Sequence, residues 1–225
     1  MSLPVSGSAA AVCEGFVLAG GQSSRMGQDK SLISFHGERL IRHALGILRN
    51  AGLEGRIAGA RGDLSSFASI LADDREYPEL GPLSGICPAL EATAARFAVF
   101  LPVDLPLLPA SLVSYLVHQA EVTCSAITLV SLAGFVETFP AVIDRVAAPA
   151  LRASLASQNR KCLSAFRAAA DALSKPFSIV PIEFLLQAGQ VCDPRGISPQ
   201  AWFRSINTPE DLSRAESAAA AVAHP

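Results

Sequence analysis

The sequence predicts an α/β fold with a Rossmann-like, open and mostly parallel sheet that carries helices on both faces. Residues 13–19 form a short apolar run that ends in glycines, which is typical of a buried strand leading into a phosphate loop. Residues 97–103 form a second run, apolar on both faces, that stops abruptly at Asp104. Segments of helical periodicity alternate with apolar runs, and the resulting β-α-β-α-β order favours a doubly wound sheet.

The other elements follow in chain order between start and stop signals. Apolar residues recur at helical spacing from Leu40 to Leu48, and Gly52 is a typical stop after a helix. Ser84 is placed to cap a helix after a Gly-Pro break, and Thr208, followed by proline and two acids, marks the start of the last helix. The expected elements are strands over 56–60, 70–72, 126–132 and 139–143, and helices over 40–48, 84–94, 112–117, 149–156, 163–173 and from 208 onwards.

The length and composition are compatible with one domain, and two small domains would also fit. The chain has 225 residues, half of them apolar, which is enough to bury one sizeable core. We expect a tail over 1–12, one domain over 13–217 and an alanine-rich tail over 218–225. The first residues lack the pattern of a signal peptide, and no apolar run approaches the roughly 20 residues that cross a bilayer. These features indicate a cytoplasmic protein.

The charge and the cysteines argue against several classes of function. A net charge of −2 gives no long-range field that would attract DNA or an acidic membrane surface, so we expect neither nucleic acid nor membrane as a partner. Neighbouring cysteines are at least 30 positions apart, with no C-x-x-C pair and no nearby histidine that would complete a zinc site. An anionic substrate must therefore be bound by local groups.

The most specific feature is the segment 18–30, which reads L-A-G-G-Q-S-S-R-M-G-Q-D-K. Its paired glycines let the backbone turn sharply and approach a phosphate, its serines add hydroxyl donors, and its arginine and lysine supply positive charge. The pattern is neither a Walker A loop nor G-x-G-x-x-G, and an ordinary glycine turn with solvated charges is the alternative. The predicted nucleotide-binding residues here are Leu18, Ala19, Gly20, Gly21, Ser23, Ser24, Arg25 and Lys30, of which Arg25 and Lys30 are also predicted to be catalytic.

Asp104 is the first candidate for catalysis and for metal binding. It follows a strand predicted to be central and parallel, at the edge of the sheet where open α/β folds bind ligands. A carboxylate there can hold Mg2+ against the phosphates of a nucleotide, although an aspartate that caps the next turn is the alternative. We therefore expect Mg2+ as the cofactor and Asp104 as its ligand.

Several segments together resemble the MobA family, the molybdenum cofactor guanylyltransferases. The resemblance rests on residues 18–30, on Gly37-x-x-Leu40-Ile41, and on three later motifs in the family's order: G-P-L-S-G-I at 81–86, D-x-P at 104–106 and I-N-T-P-E-D-L at 206–212. It covers nearly the whole chain. It implies a fold like that of the nucleotide-diphospho-sugar transferases, and transfer of GMP from GTP to molybdopterin with release of pyrophosphate. Partners in molybdoenzyme maturation would follow from the same resemblance.

The resemblance also implies further site residues. An aspartate before the G-P-L motif helps to hold the nucleotide, and of the two neighbours we prefer Asp73 to Asp74 because it follows an apolar strand fragment directly. Glycine at position 20 favours GTP, since the related cytidylyltransferases tend to have alanine there. The implied nucleotide contacts are Asp73, Gly81, Pro82 and Leu83, and the implied acceptor contacts are Arg160, Lys161 and Asn207.

Two departures from the family pattern leave the acceptor open. Phe139 stands where the family usually has histidine before a proline, and Ser205 stands where it usually has asparagine. Both fall on the acceptor side, so another phosphorylated acceptor is an alternative to molybdopterin. A CTP-using cofactor cytidylyltransferase, a sugar-phosphate nucleotidyltransferase and a non-catalytic nucleotide-binding relative remain as alternative functions.

Overall fold

The computed structural model describes residues 11–19, 29–59, 62–78, 80–157 and 161–220. The strands are β1 (Cys13–Leu18), β2 (Ser34–Phe35), β3 (Glu38–Arg39), β4 (Gly55–Ala58), β5 (Ile70–Leu71), β6 (Phe97–Pro102), β7 (Ile127–Leu132), β8 (Phe135–Asp144) and β9 (Phe177–Pro181). The α-helices are α1 (Leu40–Asn50), α2 (Leu83–Ala92), α3 (Ala110–Thr123), α4 (Ala148–Ala156), α5 (Cys162–Leu173), α6 (Ile182–Gln187), α7 (Pro199–Trp202) and α8 (Pro209–Ala220). Short 3-10 turns cover Lys30–Leu32, Gly62–Leu64 and Arg145–Ala147.

Seven strands form one sheet in the order β5-β4-β1-β6-β8-β7-β9, while β2 and β3 form a separate small hairpin. All neighbours in the large sheet are parallel except β8, which runs antiparallel to both β6 and β7. The prediction of an open, mostly parallel sheet is thus confirmed. The reversal at β8 arises from a two-residue turn after β7, where Ala133 and Gly134 have φ values of 50° and 81° that suit a tight hairpin.

Both faces of the sheet are covered, which explains why its central strands are apolar throughout. Along β6, Val99 and Leu101 belong to the core beneath α1, α3 and α8, whereas Ala98 and Phe100 belong to the core beneath α2, α4 and α5. The alternation follows from the two-residue period of a strand. A strand buried on both faces has no polar side, so its helical cover can be predicted from the sequence alone.

Strand β9 and helices α6 and α7 were not among the expected elements, and several expected elements differ in detail. The helix after the Gly-Pro break begins at Leu83, and the Ser84 hydroxyl does not cap it. It instead donates to the Tyr77 carbonyl oxygen at 2.7 Å and accepts from the Leu80 amide at 3.0 Å, because it points back into the preceding loop. The last helix continues to Ala220, beyond position 217, and its Ala218 and Ala219 pack against the core. Within the described ranges, no helix is both long enough and apolar enough to span a membrane.

The buried carboxylate of Asp144 lies at the amino edge of the sheet and pairs with two cations. Asp144, at the end of β8, is only 1% exposed. Its Oδ2 atom accepts from the Lys175 ammonium at 2.5 Å and lies 3.8 Å from Nε of Arg96. Burying a charge is favourable only when it is paired, so the contact with Lys175 fixes the start of β9 against the end of β8.

Replacing Lys175 with methionine is expected to lower the free energy of unfolding by about 2–3 kcal/mol, because the buried Asp144 carboxylate loses its closest charged partner. Urea denaturation measures this loss. Arg96→Met is the matched control, and it should cost less because the Arg96 side chain is 48% exposed and its nitrogen lies 3.8 Å away. Equal losses in the two variants would contradict the assignment.

Candidate active site

The predicted site segments meet at the carboxyl edge of the sheet. The ends of β1, β4 and β6 are in register, with Leu18 opposite Ala58 on one side and Pro102 on the other. The hydrogen bonding between β1 and β6 continues one residue beyond the end of β6, since the Val103 amide donates to the Leu18 carbonyl oxygen at 3.2 Å. Asp104 therefore emerges beside Leu18, at the edge where open α/β sheets bind ligands.

Lys30, Asp104 and Asn207 form the centre of this edge. The Lys30 ammonium donates to Oδ2 of Asp104 at 3.0 Å and to Oδ1 of Asn207 at 2.5 Å. The Lys30 and Asp104 side chains are 24% and 19% exposed. Partial burial strengthens the attraction between opposite charges relative to a pair in open water. The structure thus brings together three predicted site residues that lie far apart in the sequence.

Local hydrogen bonds hold Lys30 and Asn207 in place. The Asp29 carboxylate accepts from the Ser31 amide at 2.8 Å and caps the turn that begins with Lys30. On the other side, the Ile206 amide donates to the Asp104 carbonyl oxygen at 3.0 Å, so the backbone before Asn207 is tied to the aspartate itself. Lys30 and Asn207 are therefore both carried by fixed backbone.

The start of α8 orients Asn207 further. The Asp211 carboxylate accepts from the amides of Asn207 at 3.1 Å and Thr208 at 3.0 Å, and the Thr208 hydroxyl accepts from the Asp211 amide at 3.2 Å. This reciprocal cap confirms the predicted start of the last helix. The bond from the Asn207 amide, followed by the contact with Thr208, lowers the pKa of Asp211 below its ordinary value. The carboxylate is consequently charged when it fixes the Asn207 backbone.

The loop between β5 and α2 contributes a second group to the same edge. Asp73 lies two residues beyond the end of β5 and is partly exposed, whereas Asp74 is 4% exposed and bonded within the loop. Gly81 has a φ of 87°, which a residue with a Cβ rarely adopts, and α2 begins two residues later at Leu83. The burial of Asp74 in structural contacts supports the preference for Asp73, which stays a prediction.

Other predicted residues fall in different places. Gly20, Gly21, Ser23, Ser24, Arg25 and Arg160 lie outside the described residues. Lys161 directly precedes α5, and α5 leads to β9, which is parallel to β7. The start of α5 must therefore lie at the carboxyl edge, and the Cys162 thiol is in hydrogen-bonding contact with the Leu83 backbone, so this end of α5 lies beside the start of α2.

Phe139 lies on a part of β8 that extends past its neighbour. The pairing of β6 with β8 ends at Phe100 and Ala141, and the register of β8 with β7 shifts between Val142 and Glu137, so Phe139 lies in an irregular part of the strand. The Phe139 ring packs edge-on against Phe166 of α5, with 6.3 Å between the ring centroids. The Phe139 side chain thus fills the space between β8 and α5 at the carboxyl edge.

A cavity of about 630 Å3 opens beside Asn207. Its lining includes Leu107, Ser205 and Asn207 together with the guanidinium-bearing side chains of Arg204 and Arg214. Asp211 also lines the cavity, 3.9 Å from Nη1 of Arg214, so two cations and one carboxylate leave a net positive wall that suits an anionic group. Ser205, which departs from the family pattern, therefore lies in the wall of a cavity that adjoins the Lys30–Asp104–Asn207 cluster.

The oxygen atoms of the cluster suit a magnesium ion that is shared with phosphate. The Asp104 carboxylate and the Asn207 amide oxygen lie within 3.0 Å of the same nitrogen, and both are hard oxygen donors. In the part of the chain that the structure describes, no cluster of three or more His, Cys, Asp or Glu side chains could hold a metal ion. Mg2+ is commonly bound by one or two carboxylates with phosphate and water oxygens, so this donor set fits it.

Arg152, which contacts the loop between β5 and α2, was not predicted as a site residue. Its Nη1 atom lies 2.7 Å from Oδ2 of Asp74, and its other nitrogens bind Glu91 of α2. A single arginine in a predicted helix gives no local sign of such a partner. The burial of its partner Asp74 is likewise visible only in the structure.

An open α/β sheet with a lysine, an aspartate and an amide gathered beyond its first and central strands has the arrangement in which α/β proteins of the nucleotide-binding class bind their ligands. Residues 15–172 match the model of the MobA-like NTP transferase domain, which is well over half of the chain. The chain belongs to this family.

Relatives of full length agree with this assignment. The molybdenum cofactor guanylyltransferase of Xanthomonas euvesicatoria pv. vesicatoria is 34% identical over 89% of this chain and 92% of its own length. That of Rhodobacter capsulatus is 31% identical over 90% of this chain and 94% of its own.

Solved structures confirm the fold. Molybdopterin-guanine dinucleotide biosynthesis protein A from Archaeoglobus fulgidus superposes with a TM-score of 0.73 at 22% identity, over 92% of this chain and 99% of that one. The 2-C-methyl-D-erythritol 4-phosphate cytidylyltransferase of Thermus thermophilus gives 0.61 at 17% identity, over 91% and 98%. The predicted family and the predicted fold of a nucleotidyltransferase are thus confirmed.

The contact between Lys30 and Asp104 is expected to appear as a coupling energy of about 1 kcal/mol in a double-mutant cycle with Lys30→Met and Asp104→Asn. Urea denaturation of the two single variants and the double variant measures it. The pair of Arg56 with Glu14 lies at 3.3 Å and has the same exposures of 24% and 19%. A double-mutant cycle on this pair gives the reference coupling energy. Single effects that simply add for Lys30 and Asp104 would contradict the contact.

Proposed function

We propose that the protein is a molybdenum cofactor guanylyltransferase, which transfers GMP from GTP to molybdopterin and releases pyrophosphate. The observation that carries the proposal is the cluster of Lys30, Asp104 and Asn207 at the carboxyl edge, in a chain whose family and full-length relatives are nucleotidyltransferases. An edge that presents an ammonium, a carboxylate and an amide oxygen offers partners for both phosphates and a divalent cation.

The reaction requires alignment and charge neutralisation more than covalent participation of the protein. A phosphate oxygen of the acceptor attacks the α-phosphorus of GTP in line, and pyrophosphate leaves. Lys30 and Arg25 would neutralise phosphate oxygens, and Asp104, with the Asn207 oxygen beside it, would hold Mg2+. Bound there, Mg2+ would supply the positive charge that reduces repulsion between the two anionic substrates.

The strand order supports separate binding sites for the nucleotide and the acceptor along the carboxyl edge of the sheet. Leu18, Ala19 and the loop after β5 lie on the side of β1, β4 and β5, and we assign the nucleotide to this side together with residues 20, 21, 23 and 24 and residues 81–83. We assign the acceptor to Asn207, Lys161, Arg160 and the cavity lined by Ser205. Its two arginines suit the phosphate of molybdopterin.

The cellular setting follows from the proposed reaction. A guanylyltransferase for the molybdenum cofactor would act in the cytoplasm, and its product would pass to proteins that mature molybdoenzymes. Both statements depend on the identity of the acceptor.

Incubation of the protein with molybdopterin, Mg2+ and either GTP or CTP is expected to release pyrophosphate at least about tenfold faster with GTP, because discrimination between bases depends on hydrogen bonds that only one of them completes. Mass spectrometry of the products identifies the dinucleotide. Preference for CTP would overturn the choice of nucleotide. Turnover only with a sugar phosphate would overturn the acceptor, and GTP binding without turnover would favour a non-catalytic relative.

Asp104→Ala is expected to reduce turnover by at least about a thousandfold, because the proposed metal ligand and the partner of Lys30 are both lost. Chelation of Mg2+ with EDTA should have the same effect on the unchanged protein, and added Mg2+ should reverse it. Arg56→Met, which breaks an ion pair of equal exposure on a different part of the sheet, should retain activity. An active Asp104→Ala variant with an intact fold would refute the role of this residue.

A further inference from the structure

The loop between β5 and α2 has an unusual means of support. Residues 72–82 leave the sheet at the carboxyl edge and carry Asp73 and the Gly81-Pro82 pair, yet the described part contains no helix or strand. Such a loop has few backbone partners of its own and must be held by side chains if it is to keep one shape. We call it the β5–α2 loop.

Two buried side chains hold the β5–α2 loop from within. Oδ1 of Asp74 accepts from the amides of Glu76 at 2.9 Å and Tyr77 at 3.0 Å. The Asp74 amide donates to the Ser84 carbonyl oxygen at 2.8 Å, and the Ser84 hydroxyl bonds Tyr77 and Leu80. These contacts fold the loop back on the first turn of α2. The residues that follow Asp73 and those that precede Leu83 are thereby fixed relative to each other.

Arg152 holds the same loop from outside. Its Nη1 atom lies 2.7 Å from Oδ2 of Asp74, the oxygen that the loop amides leave unused. Its Nε and Nη2 atoms donate to the two carboxylate oxygens of Glu91 at 2.7 and 2.9 Å. One planar guanidinium thus joins the β5–α2 loop, α2 and α4, a geometry that the single ammonium of a lysine cannot reproduce.

The charge state of Asp74 matches this arrangement. Burial by itself would raise the pKa of the Asp74 carboxyl, but the amides of Tyr77 and Glu76 and the Arg152 guanidinium hold the pKa below its ordinary value. The carboxylate is therefore ionised at neutral pH, and it stays ionised until the pH falls through that lowered value.

We propose that Arg152, acting through Asp74, is a positioning residue for nucleotide binding. Arg152 holds the β5–α2 loop in the shape that presents Asp73 and residues 81–83 to the nucleotide. The inference rests on the proposed function, which assigns these residues to the nucleotide.

Arg152 contributes to the loop through its contact with the buried Asp74 and adds little through its contact with Glu91. The Arg152 and Glu91 side chains are 34% and 45% exposed, so their ion pair is largely screened by water. Asp74 keeps its bonds to two loop amides when Arg152 is removed. The loss is therefore expected to appear as motion of the loop and as weaker binding, together with some loss of stability, because Asp74 stays buried without its charged partner.

Arg152→Gln is expected to raise KM for GTP by about tenfold at nearly unchanged kcat, because a displaced loop mispositions the nucleotide contacts while the Lys30–Asp104–Asn207 cluster is untouched. Steady-state pyrophosphate release measures both constants. Arg152→Lys should restore part of the affinity, since an ammonium can still reach Asp74. The matched control is Glu91→Ala, which removes only the exposed partner of Arg152 and should change KM by no more than about twofold.

Hydrogen exchange supplies a readout that needs no substrate. In Arg152→Gln, the amides of Glu76, Tyr77 and Leu80 are expected to exchange at least about tenfold faster, while amides of β1 and β6 exchange as before. Unchanged exchange in the loop would overturn the proposal, whatever the enzyme does. Faster exchange with an unchanged KM would also overturn it, because the loop would then be uncoupled from the nucleotide. If the unaltered protein releases no pyrophosphate from GTP, the proposed function fails, and the exchange experiment still decides whether Arg152 holds the loop.

Discussion

The site depends on one shared ammonium group. Lys30 binds the carboxylate of Asp104 and the amide oxygen of Asn207 at once, and through these contacts it joins the segment after β1, the end of β6 and the start of α8. Each charge is partly buried, where an unpaired charge would be costly. The same contact therefore stabilises the arrangement of these three segments at the carboxyl edge. It also places side by side the two charges that the proposed reaction uses separately, Lys30 for phosphate and Asp104 for Mg2+.

The fold was predictable where the signal is local. The apolar runs of β1 and β6 imply strands covered on both faces, and a strand that ends abruptly at Asp104 places that residue at the ligand-binding edge. The reversal at β8 was not predicted. Its tight turn uses Ala133 at positive φ, and alanine is not a residue whose presence indicates such a turn.

The interactions of the site residues were harder to predict than their identity. The residue patterns pointed to Lys30 and Asp104 and the resemblance supplied Asn207, but only the packing of α8 against the sheet brings the amide oxygen of Asn207 to 2.5 Å from the ammonium. The contacts of Ser84 were equally hard to predict. A serine before an apolar run favours a cap in any sequence, yet here the chain turns so that its hydroxyl points back to Tyr77. Long-range contacts of this kind leave no periodic trace in the sequence.

The two edges of the sheet use similar ion pairs for different purposes. At the amino edge, Asp144 is almost fully buried and meets Lys175 and Arg96, and its contacts fix strand ends. At the carboxyl edge, Lys30 and Asp104 keep about a fifth to a quarter of their surface open to solvent, so incoming groups can compete for each of them. A carboxylate that is almost fully buried, as Asp144 is, is too costly to leave without its partner in each catalytic cycle, whereas a partly exposed carboxylate such as Asp104 can exchange its partner for a metal ion at little cost. The depth of burial, more than the type of residue, therefore separates the pairs that hold the fold from those that can take part in the reaction.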